Sequence, residues 1–395
     1  MHEHDLLLFE LFAIFVAAKV IGEIFERMQL PAVLGEILAG VLMGPYALAW
    51  IHPSDTLRAI AEIGAIFVLF HAGLEISSKD LIQVGRTAVM VAVVGIILPF
   101  VLGFAYMHWR GNVLTESVFV GVAMVATSVG ITARVLGDIG VLSTPAAKVI
   151  LGAAVFDDIL GMLLLALVDG LAQGGRIEWV RLGVLGAEAI VFAFSMIFIG
   201  PRILSKLRPS FDRLSTQNAP LMVALMVCLG LSFLAAKIGM AAIIGAFFAG
   251  MIFSECSPEL DLRPRVHAIT EFLGPFFFFS IGAQLNVKLF NGGVLGVALV
   301  ISLLAIVSKL VGCGLPLLGE GWRAALCVGI GMMPRGEVAL IVALVGLNSQ
   351  IVSQSAYAVV VFMTAVTTIL APPLLRVAFA KEARAADRVS SPVGG

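Results

Sequence analysis

Gly152-Ala-Ala-Val-Phe156-Asp157-Asp158-Ile-Leu-Gly161-Met-Leu-Leu-Leu-Ala-Leu167 sets two adjacent carboxylates in the middle of an apolar run. Read as a helix from about Pro145 to Gly170, the run leaves either end roughly 18 Å from the pair at 1.5 Å per residue. An aspartate is too short to snorkel that far. Each intramembrane charge costs about 2.5–3.5 kcal/mol on insertion scales. Two side by side mark residues that the protein uses, provided that the run lies in a bilayer.

Composition places it there. The 395-residue chain is 60% hydrophobic and 13% charged, with a mean hydropathy of +1.06, whereas a soluble domain is about 25% charged. A net charge of −1 and the lack of any Lys/Arg-rich tract argue against a nucleic-acid partner. Cys228, Cys256, Cys313 and Cys327 lie in or beside apolar segments without CxxC spacing, so they read as buried inert thiols. The chain starts Met1-His-Glu-His-Asp5, acidic rather than basic, and no small-residue cleavage site follows Leu6–Phe25. That stretch is expected to be a retained helix rather than a signal peptide.

Thirteen apolar runs are long enough to cross about 30 Å of hydrocarbon: 6–26, 31–50, 57–76, 82–107, 115–138, 145–171, 179–205, 218–237, 239–255, 265–284, 293–317, 320–347 and 353–379. The expected fold is an all-α polytopic membrane protein. Pro31, Pro53, Pro145 and Pro258 fall at or just outside helix ends. Sixteen Lys and Arg residues then fall on one side, among them Arg27, Lys79, Arg134 and Lys148. Six fall on the other: Arg58, Arg110, Arg176, Arg181, Lys237 and Lys288. The bias puts the N-terminus outside and the C-terminus in the cytoplasm. The tail from residue 380 to 395 has no apolar periodicity and is expected to be disordered.

The chain also repeats itself. Ala32-Val-Leu-Gly35-Glu-Ile-Leu-Ala39-Gly40 matches Ala242-Ile-Ile-Gly245-Ala-Phe-Phe-Ala249-Gly250 at an offset of 210. Glu62, Phe67, Phe70 and Gly73 recur as Glu271, Phe276, Phe279 and Gly282 at 209, and Val120-Gly121 with Met124 as Val328-Gly329 with Met332 at 208. Runs 1–6 would pair with runs 8–13, and a single linking helix would insert the second half upside down. Such inverted repeats are typical of secondary transporters, with the site at the midplane.

Equivalent runs carry the unusual residues. The fifth contains Ala126-Thr127-Ser128-Val-Gly130-Ile-Thr132, and the twelfth Gly331-Met-Met-Pro334-Arg335-Gly336-Glu337. Proline removes a backbone donor and glycine permits conformations that other residues avoid. At this depth such interruptions are tolerated only where the freed groups line an enclosed or watery cavity. One hydroxyl alone could bond back to its own helix. Two together with the glycine point to a central site. Arg335 and Glu337 read as a local ion pair that supports the broken helix. Lys309, in Ala305-Ile-Val-Ser308-Lys309-Leu, is a second membrane charge. It either snorkels to a surface or pairs with a carboxylate of the sixth run. Asp157 and Asp158 point about 100° apart, so one can bind a cation while the other meets the lysine.

Phe156-Asp157-Asp158, Ala126–Arg134, Ser308-Lys309 and Pro334-Arg335-Gly336-Glu337 resemble, in order, the motifs of the NapA-type bacterial sodium/proton antiporters of the monovalent cation/proton antiporter superfamily. The resemblance spans about Leu6 to Phe379. It implies a thirteen-helix homodimer of the bacterial inner membrane with two inverted six-helix repeats and two crossed, broken helices. A dimerisation domain would comprise residues 1–76 and 218–284 and a mobile core 82–171 and 293–379, with 179–205 as linker. Asp158 would match the aspartate that carries Na⁺ and H⁺, and Asp157 the partner of Lys309. Thr127 and Ser128 would match the unwound crossing, and Glu337 the acid near the other crossing. The implied activity is non-enzymatic: Na⁺ exported for H⁺ by alternating access, for pH homeostasis, with no cofactor. Na⁺ at Asp158 and the proton would compete for one site, and the lysine pairing implies two protons per Na⁺ and net charge movement.

Oxygen ligands do not fix ion size, so potassium/proton or mixed exchange that includes Li⁺ is the alternative. An intramembrane aspartyl protease needs aspartates that converge from different helices, which neighbours in sequence do not supply. Among other acids, Glu23 reads as a local partner of Lys19 at i,i+4, Glu36 and Glu75 as interfacial, and Glu62, His71, Glu188 and Glu271 as lining a funnel or domain interface.

Overall fold

The computed structural model describes residues 3–28, 30–172, 179–211, 219–254, 260–286, 292–348 and 350–384. Among the described residues the regular secondary structure is all helical, with no strand. In order the helices are α1 (Glu3–Arg27), α2 (Ala32–Met43), α3 (Asp55–Leu74), α4 (Ser78–Trp109), α5 (Leu114–Ala123), α6 (Val129–Asp138), α7 (Pro145–Ala172) and α8 (Trp179–Phe198). There follow α9 (Gly200–Phe211), α10 (Ala219–Lys237), α11 (Ala242–Ser254), α12 (Leu262–Ala283), α13 (Gly292–Gly314), α14 (Trp322–Gly331), α15 (Glu337–Asn348) and α16 (Gln354–Ala378). Among the described residues, seven helical spans are long and apolar enough to cross a membrane: α3, α4, α8 with α9, α10, α12, α13 with the 3-10 turn Leu315–Glu320, and α16.

Local chemistry sets the boundaries. Ser77 and Asp80 close a capping box at the start of α4, and Asp80 also holds Lys148 of α7 at 2.8 Å. α2 stops at Met43, short of the expected run to residue 50. Gly44 precedes Pro45, which disfavours helical backbone before it, and the chain folds back so that Leu48 N–H donates to Leu42 O. The very short link between α10 and α11 turns at Gly239, whose φ of +81° suits glycine. Ala380–Arg384, the start of the expected disordered tail, is helical instead, with Ala383 N–H donating to Phe379 O. Residues 385–395 lie outside the described ones.

Helices approach closely where glycines meet backbone. A Cβ on Gly40 of α2 would fall 2.0 Å from Phe279 O of α12, and one on Gly282 of α12 would fall 2.0 Å from Ile37 O of α2. Gly73 of α3 and Gly250 of α11 stand in the same reciprocal relation, against Phe247 O and Phe70 O, each at 2.2 Å. Large apolar side chains such as Phe12, Ile97, Met226, Phe233 and Leu303 are exposed on α1, α4, α10 and α13, a surface suited to lipid.

Lys19 pairs not with Glu23 but with Glu271 of α12, at 2.8 Å, and Glu23 pairs with Arg27. Helix-surface spacing favoured the local pair, but α12 packs over that face of α1 and supplies a nearer carboxylate. Glu36 is not interfacial but 1% exposed, because α2 lies between α1 and α12. Glu75 meets Arg263 at 3.3 Å, Glu62 and Glu188 are exposed, and the His71 and His267 rings lie tilted to one another with centroids 5.2 Å apart.

Candidate ion-binding site

Two helices break in mid-course and their breaks cross. The first is Met124–Ser128, between α5 and α6, and the second Met332–Gly336, between α14 and α15. Pro334 has no amide proton to donate, so the second chain cannot continue as regular helix. At the crossing Ser128 N–H donates to Pro334 O at 2.8 Å. Gly336 lies against Ser128, and a Cβ there would fall 2.7 Å from its Cβ and Oγ. Carbonyls at the end of α14 have lost helical partners. Thr132 Oγ1 donates to Gly331 O at 2.7 Å, and Thr127 Oγ1 lies 3.5 Å from Met332 O.

Arg335 is fully buried and aims its guanidinium back at the same helix end, with Nη1 donating to Met333 O at 3.1 Å and Met332 O at 3.4 Å. A cation at a helix C-terminus also opposes the dipole there. Of the expected Arg335–Glu337 pair, the arginine thus serves carbonyls. Glu337 opens α15, and its side chain lies outside the described residues. Sequence reasoning missed Thr367 and Thr368 of α16, which hold the break from behind. Thr367 Oγ1 accepts from Arg335 N–H at 3.3 Å, and Thr368 Oγ1 donates to Arg335 O. Their signal was three hydroxyls, Thr364, Thr367 and Thr368, on one face of an apolar helix.

Beside the crossing runs α7. Its two aspartates, neighbours in sequence, have different surroundings. Asp157 is 2% exposed and meets Lys309 Nζ of α13, itself fully buried, at 3.2 Å. The buried Arg335 guanidinium also feels the field of the same carboxylate. α4 packs against both α7 and α13. A Cβ on its Gly95 would fall 2.5 Å from Cys313 Sγ and 3.6 Å from Lys309 Nζ, so the missing side chain makes room for the ammonium. Asp158 is half-buried and borders a small, partly open pocket lined by Leu69 of α3, Val129 of α6 and Ile243, Ile244 and Phe247 of α11. Thr127 and Ser128, the two residues before Val129, are buried, and Ser128 Oγ has no hydrogen-bond partner among the described residues. The arrangement thus offers a half-buried carboxylate, hydroxyls and helix-end carbonyls, all hard oxygen ligands, next to a separate carboxylate–ammonium pair.

The sequence profile described as "Sodium/hydrogen exchanger, transmembrane" matches residues 11–381. The chain belongs to this family. It is 37% identical to the high-affinity Na⁺/H⁺ antiporter NhaS3 of Synechocystis, over 94% of this chain and 89% of that one. It is 33% identical to the Na⁺/H⁺-K⁺ antiporter GerN of Bacillus cereus, over 95% and 97% of the two chains, and 33% identical to a Na⁺/H⁺ antiporter of Enterococcus hirae, over 92% and 95%. Its fold is similar to that of the sodium proton antiporter MjNhaP1 of Methanocaldococcus jannaschii, with a TM-score of 0.67 and 18% identity over 97% of this chain and 98% of that one. The family is one of transporters, not enzymes.

Proposed function

We propose that the chain exchanges Na⁺ for H⁺ across the bacterial inner membrane by alternating access, as an electrogenic antiporter. The observation that carries this reading is the division of the α7 aspartates: Asp157 held by a buried lysine, Asp158 turned to a cavity beside the broken helices. Na⁺ takes oxygen ligands, and Asp158, Thr127, Ser128 and carbonyls at the crossing are of that kind. Asp158 must be ionised to hold the ion, so a proton and Na⁺ exclude one another there. Either occupant neutralises the carboxylate and lowers the cost of moving it through an apolar interface. Ion binding shifts the field on the Asp157–Lys309 pair, and release of a proton from that pair would make two protons per Na⁺. One net charge then moves per cycle, which the membrane potential drives by about 2.3 kcal/mol per 100 mV.

The pocket at Asp158 is lined both by α3 and α11 and by α6 and α7. This supports a mobile core of residues 82–171 and 293–379 that moves against a dimerisation domain of 1–76 and 218–284 in a homodimer, with 179–205 between. The reciprocal glycine contacts support the inverted repeat: Gly40 and Gly73 are offset by 210 and 209 from Gly250 and Gly282, and each pair makes the same backbone approach. The excess of Lys and Arg on one side supports an outside N-terminus and a cytoplasmic C-terminus.

The test is a pH-jump flux assay in liposomes with Na⁺, Li⁺ and K⁺ in turn. Wild type should show Na⁺-driven proton flux, and Asp158→Asn should lose it. Appreciable Na⁺-dependent flux from that variant would overturn the assignment. The name of the Bacillus cereus relative, which includes K⁺, favours a second reading, mixed Na⁺/K⁺ exchange at the same site. Comparable K⁺ flux would establish it.

A further inference from the structure

A second set of charges lies apart from the Asp157–Lys309 pair, where α6 meets α1, α2 and α12. Arg134 of α6 is 7% exposed. It reaches Glu271 Oε1 of α12 at 2.5 Å and Asp138 Oδ1 one turn along its own helix at 3.1 Å. Lys19 of α1 holds the other oxygen of Glu271 at 2.8 Å. Glu36 of α2 faces these groups: the charges that act on it are Arg134, Lys19, Asp138 and Glu271. It is 1% exposed, and neither of its carboxylate oxygens has a hydrogen-bond partner among the described residues. Glu36 cannot swing away easily. Gly35 presses on the α1 backbone at Ile21 and Gly22, and Gly40 on α12 at Phe279 and Ala283.

Three carboxylates, Glu36, Asp138 and Glu271, thus face two cations, Arg134 and Lys19. The other titratable groups around them are His71 of α3, His267 of α12 and Glu26 of α1, and Arg263 is engaged by Glu75. Negative charge is in excess, and Glu36, neither of whose oxygens has a hydrogen-bond partner among the described residues, is the most deeply buried of the three. A buried ionised group that lacks partners is far costlier than its neutral form, so such a group takes up a proton instead. We propose that Glu36 binds a proton of its own, separate from those of Asp157 and Asp158, and that this proton leaves Arg134 to Glu271, tying α6 to α12. Loss of the proton to water would put a third anion beside Arg134, in competition with Glu271 for the guanidinium.

The test is infrared spectroscopy of the full chain in liposomes at neutral pH, with glutamate ¹³C-labelled at the side-chain carboxyl. The wild type should show a carboxylic-acid C=O band that shifts with the label. Glu36→Gln should abolish the band, and Glu116→Gln should retain it. Should Glu36→Gln not fold, Glu36→Asp keeps an acid at the position but should remove the label-sensitive band. Absence of any label-sensitive band from the wild type, or its persistence without Glu36, would overturn the proposal. Exchange activity is not the readout, so failure of the antiport reading would leave the spectrum unaltered.

Discussion

The two breaks at the centre of the molecule meet face to face but are furnished differently. The second, Met332–Gly336, is braced on several sides. Arg335 binds the carbonyls of Met332 and Met333, Thr132 takes Gly331 O, Ser128 N–H takes Pro334 O, and α16 grips the Arg335 backbone through Thr367 and Thr368. The first, Met124–Ser128, carries no charge, and the Ser128 hydroxyl has no hydrogen-bond partner among the described residues. Backbone freed at membrane depth must find partners inside the protein. The second break meets that demand with fixed side chains and acts as a scaffold. The first leans on the second and leaves the Ser128 hydroxyl without a partner among the described residues.

The largest effect on this contrast belongs to Arg335. Arg335→Leu strands two buried carbonyls, at about 1–3 kcal/mol each, and removes a buried cation that interacts electrostatically with Asp157. We expect loss of exchange together with a clearly lower thermal midpoint of the purified protein. Arg335→Lys keeps the charge but not the planar fork and should fall between. An Arg335→Leu variant that unfolds at the wild-type temperature would erase the distinction between a braced break and an open one.

Next comes the contact between the breaks. In Gly336→Ala the new Cβ meets Ser128 at 2.7 Å, an overpacking worth about 1–3 kcal/mol. Removing the obstacle in Ser128→Gly/Gly336→Ala should recover most of the lost stability and flux. Additive losses in the double variant would mean that the two breaks are not coupled at this point.

Much of this was legible in the sequence because apolar runs have few solutions in a bilayer. The second break announced itself through Pro334 and Gly336, and a lysine in mid-membrane pointed to a carboxylate partner on the sixth run. What stayed hidden depends on which helix packs over which. Lys19 had a carboxylate one turn away, yet the nearer one lies 252 residues on. Arg134 was counted among basic residues of a membrane surface, but α12 brings Glu271 over it. Hydroxyls within a helix read alike whether they bond to their own turn or to a neighbour. Thr367 does both, with Met363 O at 2.9 Å and Arg335 N–H at 3.3 Å. The half-burial of Asp158 beside fully enclosed Asp157 likewise comes from α3 and α11, which no local pattern around residue 158 describes.

The smallest effect sharpens the contrast most. Ser128→Ala removes a buried hydroxyl without a partner among the described residues, so stability should change by less than about 1 kcal/mol, because no hydrogen bond is lost there. If the hydroxyl is held in reserve for the ion, its loss should appear only when Na⁺ binds. One neutral ligand is worth on the order of 1 kcal/mol, or roughly a fivefold rise in the Na⁺ concentration at half-maximal flux, with the maximal rate little altered. The same flux assay across a Na⁺ titration, run beside thermal unfolding, separates the outcomes. A lower melting point at unchanged Na⁺ dependence would make Ser128 part of the scaffold, and the two breaks would then differ in composition but not in role.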